Sequence, residues 1–451
     1  MNLKIKVPQQ VTKIINKFEE KGYEIYIVGG VVRDILLKRQ LYDWDFTTNA
    51  EPEQVLKLFD NAYYDNKFGM VGIPIGDDIR PFEITTFRTD HGYTDSRHPD
   101  EVRWGKSLEE DLQRRDFTIN SLALKRAKDN FELIDLYNGE RDLKDKLIRA
   151  VGDPKKRFEE DALRMMRAVR IATQLQFNIE EETFRAIQLM AGNIKKVSAE
   201  RIRDELFKLL ASDYPADGYQ ILRNTGLAME ILPEVETGFG IEQQSPGRHH
   251  IFDVGTHSLL SLKYCPSFDP VTRLATLIHD IGKVKTQRKY PDGRITFYNH
   301  EMESTKIAEF VAERLRFSNT QKNKFVRLVR WHQFTVDERQ TDSAIRRFIR
   351  NVEVENIPDM ISLRVGDRLG GGAKETSWRL EEFKERLIEV QKQPFSVSDL
   401  KISGNDVMKV KNITPGPMVG KYLEMIFYEV TEMGLSNKRE ILIEKLKEIN
   451  L

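Results

Sequence analysis

The sequence predicts an α+β fold in which a mixed N-terminal region is followed by a helical remainder. Residues 22–125 alternate strand-like apolar runs, such as EIYIVGG (24–30), with helix-like segments such as PEQVLKLF (52–59). From residue 155 onward, strand signals almost vanish and apolar residues recur at helical spacing, as in SAERIRDELFKLLAS (198–212). At 451 residues the chain is longer than one typical domain, so we expect several.

The composition excludes some classes of protein before any motif is considered. The 71 basic residues balance 71 acidic residues, so local patches decide whether a nucleic acid binds. No apolar run approaches the roughly 20 residues that cross a membrane, and MNLKIKVPQQ (1–10) lacks the apolar core of a secretory signal. The single cysteine, Cys265, excludes an internal disulfide. Together these features predict a cytoplasmic protein.

The elements of the N-terminal region follow in order. An amphipathic helix over residues 8–21 precedes the strand of EIYIVGG, which ends in a Gly-Gly turn. VVRDILLKRQ (31–40) predicts a helix, and LYDWDFTT (41–48) predicts a second strand. After the helix of PEQVLKLF, VGIPIGDDIRPFEITTFR (71–88) predicts two further strands around a turn.

Two glycines and two aspartates form the first candidate site. Gly29 and Gly30 lie between strand and helix, where backbone N–H groups make a phosphate cradle. Asp43 and Asp45 lie two residues apart, so a strand would put both carboxylates on one face, where they repel unless cations lie between them. Two Mg²⁺ ions held there would activate an attacking hydroxyl and steady a triphosphate leaving group. Glu83, on a neighbouring strand, is either a third ligand or an exposed strand glutamate.

These motifs resemble a known family. VGGVVRDILL (28–37) followed by DWDFTT (43–48) resembles the nucleotidyltransferases that add CCA to tRNA 3′ ends, and their bacterial poly(A) polymerase relatives. Four more segments resemble motifs of that family in the same order: RRDFTINSLAL (114–124), IDLYNGERDLKDKLIRAVGDP (134–154), EEDALRMMRAVRIA (159–172) and SAERIRDELFKLL (198–210).

The resemblance assigns RRDFTINSLAL to the reading of the ribose. Asp116 and Asn120 lie four apart and would share one face of a helix. Together with Arg115 they can hydrogen-bond a ribose 2′-OH and so favour NTP over dNTP. The alternative is a salt-bridged helix start. Arg33, in the first motif, is expected to steady the triphosphate.

The resemblance assigns EEDALRMMRAVRIA to the selection of the base. An aspartate accepts a hydrogen bond from the exocyclic amine of C or A, and an arginine donates to the adjacent ring acceptor. Asp161 and Arg164, three apart, can therefore admit C and A and reject U and G without a nucleic-acid template. The resemblance implies that Glu160 orients Arg164, and it adds Arg167 to the nucleotide-binding residues. The alternative is an ordinary intrahelical ion pair worth ~0.2–0.5 kcal/mol.

The polar segment DHGYTDSRHPDEVRW (90–104) predicts a loop. It resembles the flexible loop that this family uses in switching from C to A addition. Relatives that stop after CC lack an intact loop, so its presence favours full CCA addition or A-only addition.

A second constellation lies in the helical part of the chain. RLATLIHDIGK (273–283) contains the adjacent pair His279 and Asp280, with His257 upstream and Asp367 downstream. This set resembles the HD superfamily of metal-dependent phosphohydrolases. Imidazole and carboxylate ligands suit Mn, Ni, Fe or Mg-like ions rather than a thiolate-rich zinc site.

Two more histidines, His300 and His332, lie in the same stretch and are candidates for a second metal position. Two interpretations of the HD region remain open. It hydrolyses phosphoesters, such as 2′,3′-cyclic phosphates on damaged RNA ends, or it is a helical body that holds tRNA around an idle metal site.

The resemblance implies four domains: a polymerase-β-like head (1–150), a helical neck with the nucleotide template (151–236), an HD body (237–392) and a helical tail (393–451). The expected reaction is Mg²⁺-dependent addition of C, C and A to tRNA from CTP and ATP. The alternatives are A-only addition or poly(A) synthesis and, in another class, an HD phosphohydrolase with a nucleotide-binding head. We expect tRNA, CTP and ATP as partners, a transition metal or Mg²⁺ in the HD domain, and no membrane or obligate protein partner.

Overall fold

The computed structural model describes residues 2–41, 43–65, 70–76, 81–91, 101–104, 107–128, 130–243, 252–334, 336–337, 339–391 and 397–449. Two compact units are present: residues 1–236 with 314–316, and residues 237–313 with 317–451. The predicted α+β class is confirmed, with strands concentrated in the first unit and helices throughout. The division into four domains stays a prediction.

The head of the first unit is built on an eight-stranded sheet in the order β1-β10-β9-β2-β3-β6-β5-β4. Strands β7 and β8 form a separate antiparallel pair. The ten strands are β1 (Asn2–Leu3), β2 (Ile25–Val28), β3 (Asp45–Thr48), β4 (Tyr63–Asp65), β5 (Met70–Ile73), β6 (Phe82–Thr86), β7 (Arg88–His91), β8 (Glu101–Trp104), β9 (Leu122–Ala127) and β10 (Asn130–Asp135).

The central strands carry the core of the head. All four residues of β2 are buried, as expected for an apolar run in mid-sheet. β2 pairs antiparallel with β3, and β3 pairs parallel with β6. This arrangement brings the start of β3 between the end of β2 and the start of β6.

The predicted strand over residues 41–48 is too long. β3 begins only at Asp45, so Asp43 and Trp44 precede it. Trp44 is buried, with 7% of its surface exposed, although it lies outside the strand. Its burial accounts for the alternation of polar and apolar residues that resembled a strand. The helix predicted over 31–40 is also shorter and ends at Leu36. The loop predicted over residues 90–104 is wrong at both ends, because residues 90 and 91 belong to β7 and residues 101–104 form β8. Residues 92–100 lie outside the described residues.

The helices of the first unit pack against the strands or against one another. α7 packs against α9 and α10 through buried apolar residues such as Val169, Leu206 and Leu222. The twelve helices are α1 (Gln9–Glu20), α2 (Gly30–Leu36), α3 (Pro52–Leu58), α4 (Leu108–Gln113), α5 (Gly139–Lys144), α6 (Pro154–Glu160), α7 (Leu163–Leu175), α8 (Glu181–Met190), α9 (Ala199–Leu210), α10 (Pro215–Asn224), α11 (Leu227–Ile231) and α12 (Pro233–Glu236).

The second unit is helical. Its helices are α13 (Val254–Tyr264), α14 (Pro270–Ile278), α15 (Lys283–Thr286), α16 (His300–Arg314), α17 (Asn319–Trp331), α18 (Asp342–Val352), α19 (Ile357–Gly370), α20 (Trp378–Val390), α21 (Gly404–Lys411), α22 (Pro417–Glu432) and α23 (Arg439–Glu448). Short 3₁₀ turns lie at Thr118–Asn120, Ala191–Lys196, Val354–Asn356 and Val397–Asp399.

The prediction that everything after residue 155 is helical misses three short strands, one of which pairs with a strand that precedes residue 155. β11 (Leu147–Ile148) pairs with β12 (Asn178–Ile179), and β13 (Arg288–Lys289) pairs with β14 (Ile295–Thr296). Among the helices that the structure describes, none combines the length and apolar character needed to cross a membrane.

Candidate functional sites

The predicted metal-binding carboxylates of the head lie at the start of β3. Asp45 opens the strand and is in register with Glu83 on β6 and with Val28 on β2. Paired residues of neighbouring strands project to the same face, so Asp45 and Glu83 share one. Asp43 and Glu83 are exposed and Asp45 is half-buried. The expectation that Asp43 shares a strand face with Asp45 is wrong, because Asp43 lies before the strand.

These three carboxylates are not drawn tightly together. Among the described residues, groups of three or more His, Cys, Asp or Glu ligand atoms within 4.8 Å of one another occur only in the second unit. Open carboxylates still suit Mg²⁺, which keeps several waters and shares its coordination between one or two carboxylates and substrate phosphates. The roles of Asp43, Asp45 and Glu83 as ligands therefore stay predictions.

Gly29 allows a close approach at the end of β2. Its φ is +80°, a conformation that a side chain disfavours. A β-carbon on Gly29 would lie 3.2 Å from Nη1 of Arg115 and 3.4 Å from Oδ2 of Asp45. The glycine therefore keeps the space between a predicted nucleotide-binding arginine and a predicted metal ligand free.

A chain of hydrogen bonds joins four predicted nucleotide-binding residues. Arg33 donates from Nη1 to Oδ1 of Asn120 at 2.9 Å, and Nδ2 of Asn120 donates to Oδ1 of Asp116 at 3.1 Å. Arg167 donates from Nε and Nη2 to Oδ2 of Asp116, at 2.8 and 2.6 Å. Asp116 and Asn120 thus meet as predicted, but through a 3₁₀ turn and not along an α-helix.

Asp116 is held in its ionised form. Burial alone would raise its pKa, but the charge of Arg167 and the donors of Asn120 and Arg167 hold the pKa of this carboxyl well below its usual range. The same ion pair raises the pKa of Arg167. The carboxylate of Asp116 is consequently a negative group that is held in place by Asn120 and Arg167.

Asp111 is a residue that sequence reasoning missed. It is fully buried at α4, and its two oxygens bind different arginines: Oδ1 accepts from Arg114, and Oδ2 accepts from Nη2 of Arg115 at 3.0 Å. This contact holds Arg115 beside Gly29. A carboxylate three and four positions before two arginines, in DLQRRD, was the signal that could have identified it.

The predicted base-selecting residues lie between two helices. Asp161 follows α6 in an extended conformation, and Arg164 lies in the first turn of α7. Nη1 of Arg164 donates to Oε2 of Glu160 at 2.8 Å, the contact that the resemblance implied. Nη2 of Arg164 donates to the Arg114 carbonyl at 2.9 Å. The guanidinium of Arg164 is thereby fixed from two sides.

Asp161 is held by a partner that the sequence did not predict. Arg201, on α9, donates from Nη2 to Oδ2 of Asp161 at 2.7 Å and from Nη1 to Oδ1 at 3.3 Å. The alternative of a simple Asp161–Arg164 pair is not what the folded chain forms, since each residue has its own partner. The 40 residues between Asp161 and Arg201 explain why local spacing gave no sign of this contact.

The second unit brings all six predicted HD ligands together. The structure forms two groups that share Asp280: His257, His279, Asp280 and Asp367, and Asp280, His300 and His332. Nε2 of His257 and of His279 each lie 3.4 Å from Oδ2 of Asp280. Nε2 of His300 and of His332 lie 3.1 and 3.5 Å from Oδ1. Asp280 is therefore a bridge between two sets of imidazoles.

The imidazoles are oriented for metal binding. Nδ1 of His279 lies 2.7 Å from the Thr276 carbonyl, Nδ1 of His300 lies 2.9 Å from the Phe297 carbonyl, and Nδ1 of His332 lies 2.7 Å from the Val329 carbonyl. A carbonyl can only accept, so Nδ1 carries the proton. The lone pair of a neutral ring is then on Nε2, which faces the carboxylates.

The charges of this centre are suited to a cation. Burial tends to lower the pKa of His279, but Asp280 and Asp367 outweigh it and raise that pKa to about 10. Burial by itself would raise the pKa of the Asp280 and Asp367 carboxyls. Lys283 and the histidines nevertheless hold the pKa of Asp280 well below its usual range. The histidines do the same for the pKa of Asp367. A divalent cation would replace these protons as the charge that the carboxylates require.

A cavity of about 290 Å³ opens onto the centre. It is lined by Asp280 and Asp367 together with two cationic side chains, Lys283 and Arg364. Lys283 donates to Oδ2 of Asp280 at 2.6 Å and to Gln243 at 2.7 Å, and Arg364 donates to Oδ2 of Asp367 at 3.2 Å. Cations beside a metal-binding cluster are suited to an anionic ligand.

Comparison with known families divides the chain into three matched regions. Residues 25–149 match the family model of the poly A polymerase head domain. Residues 176–239 match one described as "Probable RNA and SrmB- binding site of polymerase A". Residues 295–446 match one described as tRNA nucleotidyltransferase domain 2.

Individual relatives extend these matches over the whole chain. A CCA-adding enzyme of Lactobacillus helveticus is 47% identical over 219 residues, covering 48% of this chain and 54% of that protein, so that match spans about half of the relative. A CCA-adding enzyme of Leuconostoc mesenteroides is 32% identical over 442 residues, covering 96% of this chain and 95% of the relative. The crystal structure of the Bacillus stearothermophilus CCA-adding enzyme in complex with CTP superposes with a TM-score of 0.71 at 26% identity, covering 98% of both chains.

Proposed function

Because the chain belongs to the family of CCA-adding enzymes, we propose that it adds C, C and A in turn to the 3′ end of tRNA, from CTP and ATP. The observation that carries this proposal is the set of nucleotide-binding residues joined in one unit: Gly29 beside Asp45, the Arg33–Asn120–Asp116–Arg167 chain, and the fixed Arg164. The family implies a divalent metal, and carboxylate oxygens, such as those of Asp43 and Asp45, are ligands that Mg²⁺ prefers.

The residues of the head would divide the work of nucleotidyl transfer. Asp43 and Asp45 would hold Mg²⁺, which when bound supplies charge neutralisation and activation of the attacking tRNA hydroxyl. Gly29 keeps the space beside Asp45 free for the substrate. Arg115 lies beside Gly29 and Arg33 lies beside Gly30, so both guanidinium groups would donate to phosphate oxygens bound at this turn.

Base selection would rest on Asp161 and Arg164. Arg201 orients the Asp161 carboxylate, and Glu160 orients the Arg164 guanidinium. A carboxylate acceptor beside a guanidinium donor complements the amine and ring acceptor shared by C and A. U and G present a carbonyl where the amine should be, and would leave the carboxylate unpaired.

The test is extension of defined tRNA ends. Transcripts that end at the discriminator base, at C or at CC are incubated with Mg²⁺ and CTP, ATP or both, and the products are sequenced. Full CCA ends on all three transcripts are expected. Products that gain only A, or long A tails, would instead identify an A-adding enzyme or a poly(A) polymerase, and unchanged ends would contradict the proposal.

A second activity is proposed for the His–Asp centre of the second unit: metal-dependent hydrolysis of a phosphoester. Four Nε2 atoms around a bridging Asp280, next to a cavity with Lys283 and Arg364, support it. The ligand types suit a divalent transition metal or Mg²⁺. The test is hydrolysis of 2′,3′-cyclic AMP, and of RNA ending in a 2′,3′-cyclic phosphate, with Mn²⁺, Ni²⁺ or Mg²⁺. Absence of turnover with each metal would favour an idle site.

Two further expectations from the sequence stay proposals. We propose a cytoplasmic location, because a chain with a single cysteine, Cys265, fits a reducing compartment. We also keep the division of each unit in two, into head and neck and into body and tail.

A further inference from the structure

Asn120 joins two residues of the predicted nucleotide site, Arg33 and Asp116, through its side-chain amide. It is 7% exposed, and its amide oxygen and amide nitrogen are both engaged. Oδ1 accepts from Arg33 on α2, and Nδ2 donates to Asp116, which is bound by Arg167 of α7. Asn120 is therefore the link that ties Arg33 to a buried ion pair.

The guanidinium of Arg33 is held by two side chains, Asp34 and Asn120. Nε and Nη2 donate to the two oxygens of Asp34, both at 2.9 Å, and Nη1 donates to Asn120 at 2.9 Å. These bonds engage three of the five N–H donors that a guanidinium carries. A β-carbon on Gly30 would lie 3.4 Å from Nη2 of Arg33, so the guanidinium stands beside the Gly29–Gly30 turn.

We infer that Asn120 is a positioning residue for the triphosphate, which acts by holding the guanidinium of Arg33 toward the phosphates, and that it is not the group that reads the ribose. The inference rests on the proposed nucleotidyl transfer and deepens it. Without Asn120, Nη1 of Arg33 loses the only contact that it makes with a side chain outside α2 among the described residues. The Arg33 side chain can then move away from the Gly29–Gly30 turn, and its two remaining N–H donors no longer point toward the phosphates.

The two roles differ in the part of the nucleotide that they affect. A residue that acts through Arg33 changes the affinity for nucleotides that carry β- and γ-phosphates, and it does so equally for CTP and ATP. A residue that reads the ribose influences CMP as much as CTP, and its loss lowers the preference for CTP over dCTP. The base, which is handled by Asp161 and Arg164, is unaffected in either case.

The experiment is a double-mutant cycle on nucleotide binding and addition. The full-length protein and the variants Asn120→Ala, Arg33→Ala and the double variant are titrated with CTP, dCTP and CMP, and KM is measured for CTP and ATP with tRNA. Asn120→Ala is expected to weaken CTP binding and raise both KM values about tenfold, and to change CMP binding and the CTP/dCTP ratio less than about twofold. In the Arg33→Ala background, Asn120→Ala should have no further effect.

Asn16→Ala is the matched control, because Asn16 also accepts a hydrogen bond from an arginine, Arg126, but lies on α1 outside the nucleotide site. It should leave all constants unchanged. If Asn120→Ala does not fold, Asn120→Ser, which keeps a buried hydroxyl but cannot reach Arg33, is expected to give the same pattern.

Equal losses for CMP and CTP, a lowered CTP/dCTP ratio, or effects of the two substitutions that multiply would each overturn the inference. A wild-type protein that binds CTP but extends no tRNA would contradict the proposed function instead. The titrations with CTP, dCTP and CMP would still decide the role of Asn120.

Discussion

Two of the three predicted metal-binding carboxylates of the head are exposed, whereas the His–Asp centre of the second unit is mostly buried and brings six predicted ligands together. Asp43 and Glu83 are exposed, and among the described residues of the head no three His, Cys, Asp or Glu ligand atoms lie within 4.8 Å of one another. In the second unit, His279 is 1% exposed and Asp280 is 4% exposed, with four imidazole nitrogens within 3.5 Å of one carboxylate.

The difference follows from what each site must bind. A site for Mg²⁺ with a nucleotide can leave part of the coordination to water and phosphate, so the protein supplies few ligands and keeps them accessible. A buried cluster of imidazoles and carboxylates requires protons or a cation to balance its charge, which is consistent with the metal proposed for the second centre. The two centres should therefore respond independently to mutation.

The largest expected effect is on the head. Asp45→Asn should lower the rate of tRNA extension by at least about 10³-fold, because several kcal/mol of metal-derived charge stabilisation are lost. The metal content of the second unit should not change. Asp60→Asn, an exposed aspartate of the same region, is the control and should retain full activity. Extension at the wild-type rate by the Asp45 variant would remove this residue from the metal site.

The converse substitution tests the second centre. His279→Ala should lose the bound transition metal, measured by elemental analysis after gel filtration, because a ligand of the buried set is missing. Extension of tRNA with Mg²⁺ should stay within about twofold of wild type, since no residue of the nucleotide site belongs to the second unit.

Two controls accompany the His279 variant. Glu303→Gln, on the surface of α16, should keep its metal. Wild-type protein stripped with a chelator should lose thermal stability relative to the loaded protein, because a ligand that binds only the folded state stabilises it. A metal content that is unaffected by His279→Ala would show that the cluster is not the binding site.

Base selectivity is expected to change less. Asp161→Ala should lower the preference for CTP and ATP over UTP and GTP by about ten- to hundredfold, the range of a well-made pair of hydrogen bonds to a base. Arg201→Ala should act in the same direction with a smaller effect, because it frees Asp161 without removing it. Sequencing of misincorporated ends measures both. An unchanged product spectrum for both variants would exclude a role for Asp161 in base selection.

The smallest effect is on stability and depends on pH. The pKa of Asp116 is lowered in the folded state, so its contribution is present above the unfolded pKa of about 4 and is lost as pH falls through the folded pKa. Asp116→Asn should destabilise the first unit by about 1–2 kcal/mol at pH 7, a value discounted because the Arg167 side chain is 36% exposed.

Denaturant unfolding at pH 7 and pH 3 measures this change. The difference between wild type and variant should shrink at pH 3, because Asp116 of the unfolded wild type is then protonated while the folded protein still holds the ion pair. Asp204→Asn, whose exposed carboxylate pairs with neighbouring Arg203, is the control and should change stability by less than about 0.5 kcal/mol. A difference that stays constant between the two pH values would rule out titration of Asp116 as its source.

Helical periodicity predicted much of the fold because burial imposes it locally. The pattern of SAERIRDELFKLL corresponds to α9, whose Ile202, Leu206 and Leu209 face the core. The alternation of LYDWDFTT failed as a strand signal, because Trp44 is buried by packing and not by strand pairing. Local pattern reports burial, and burial alone does not distinguish a strand from an irregular segment.

The sequence by itself determined which chemical groups are present and their order: a Gly-Gly turn before two aspartates, a Glu-Asp-Arg set, and six His and Asp ligands. Only the tertiary structure decided their partners. Arg201 reaches Asp161 across 40 residues, and Asp280 meets imidazoles that come from helices far apart in the chain. The physical reason is that a side chain's identity is fixed by the chain, whereas its charge, orientation and neighbours depend on which distant elements pack together.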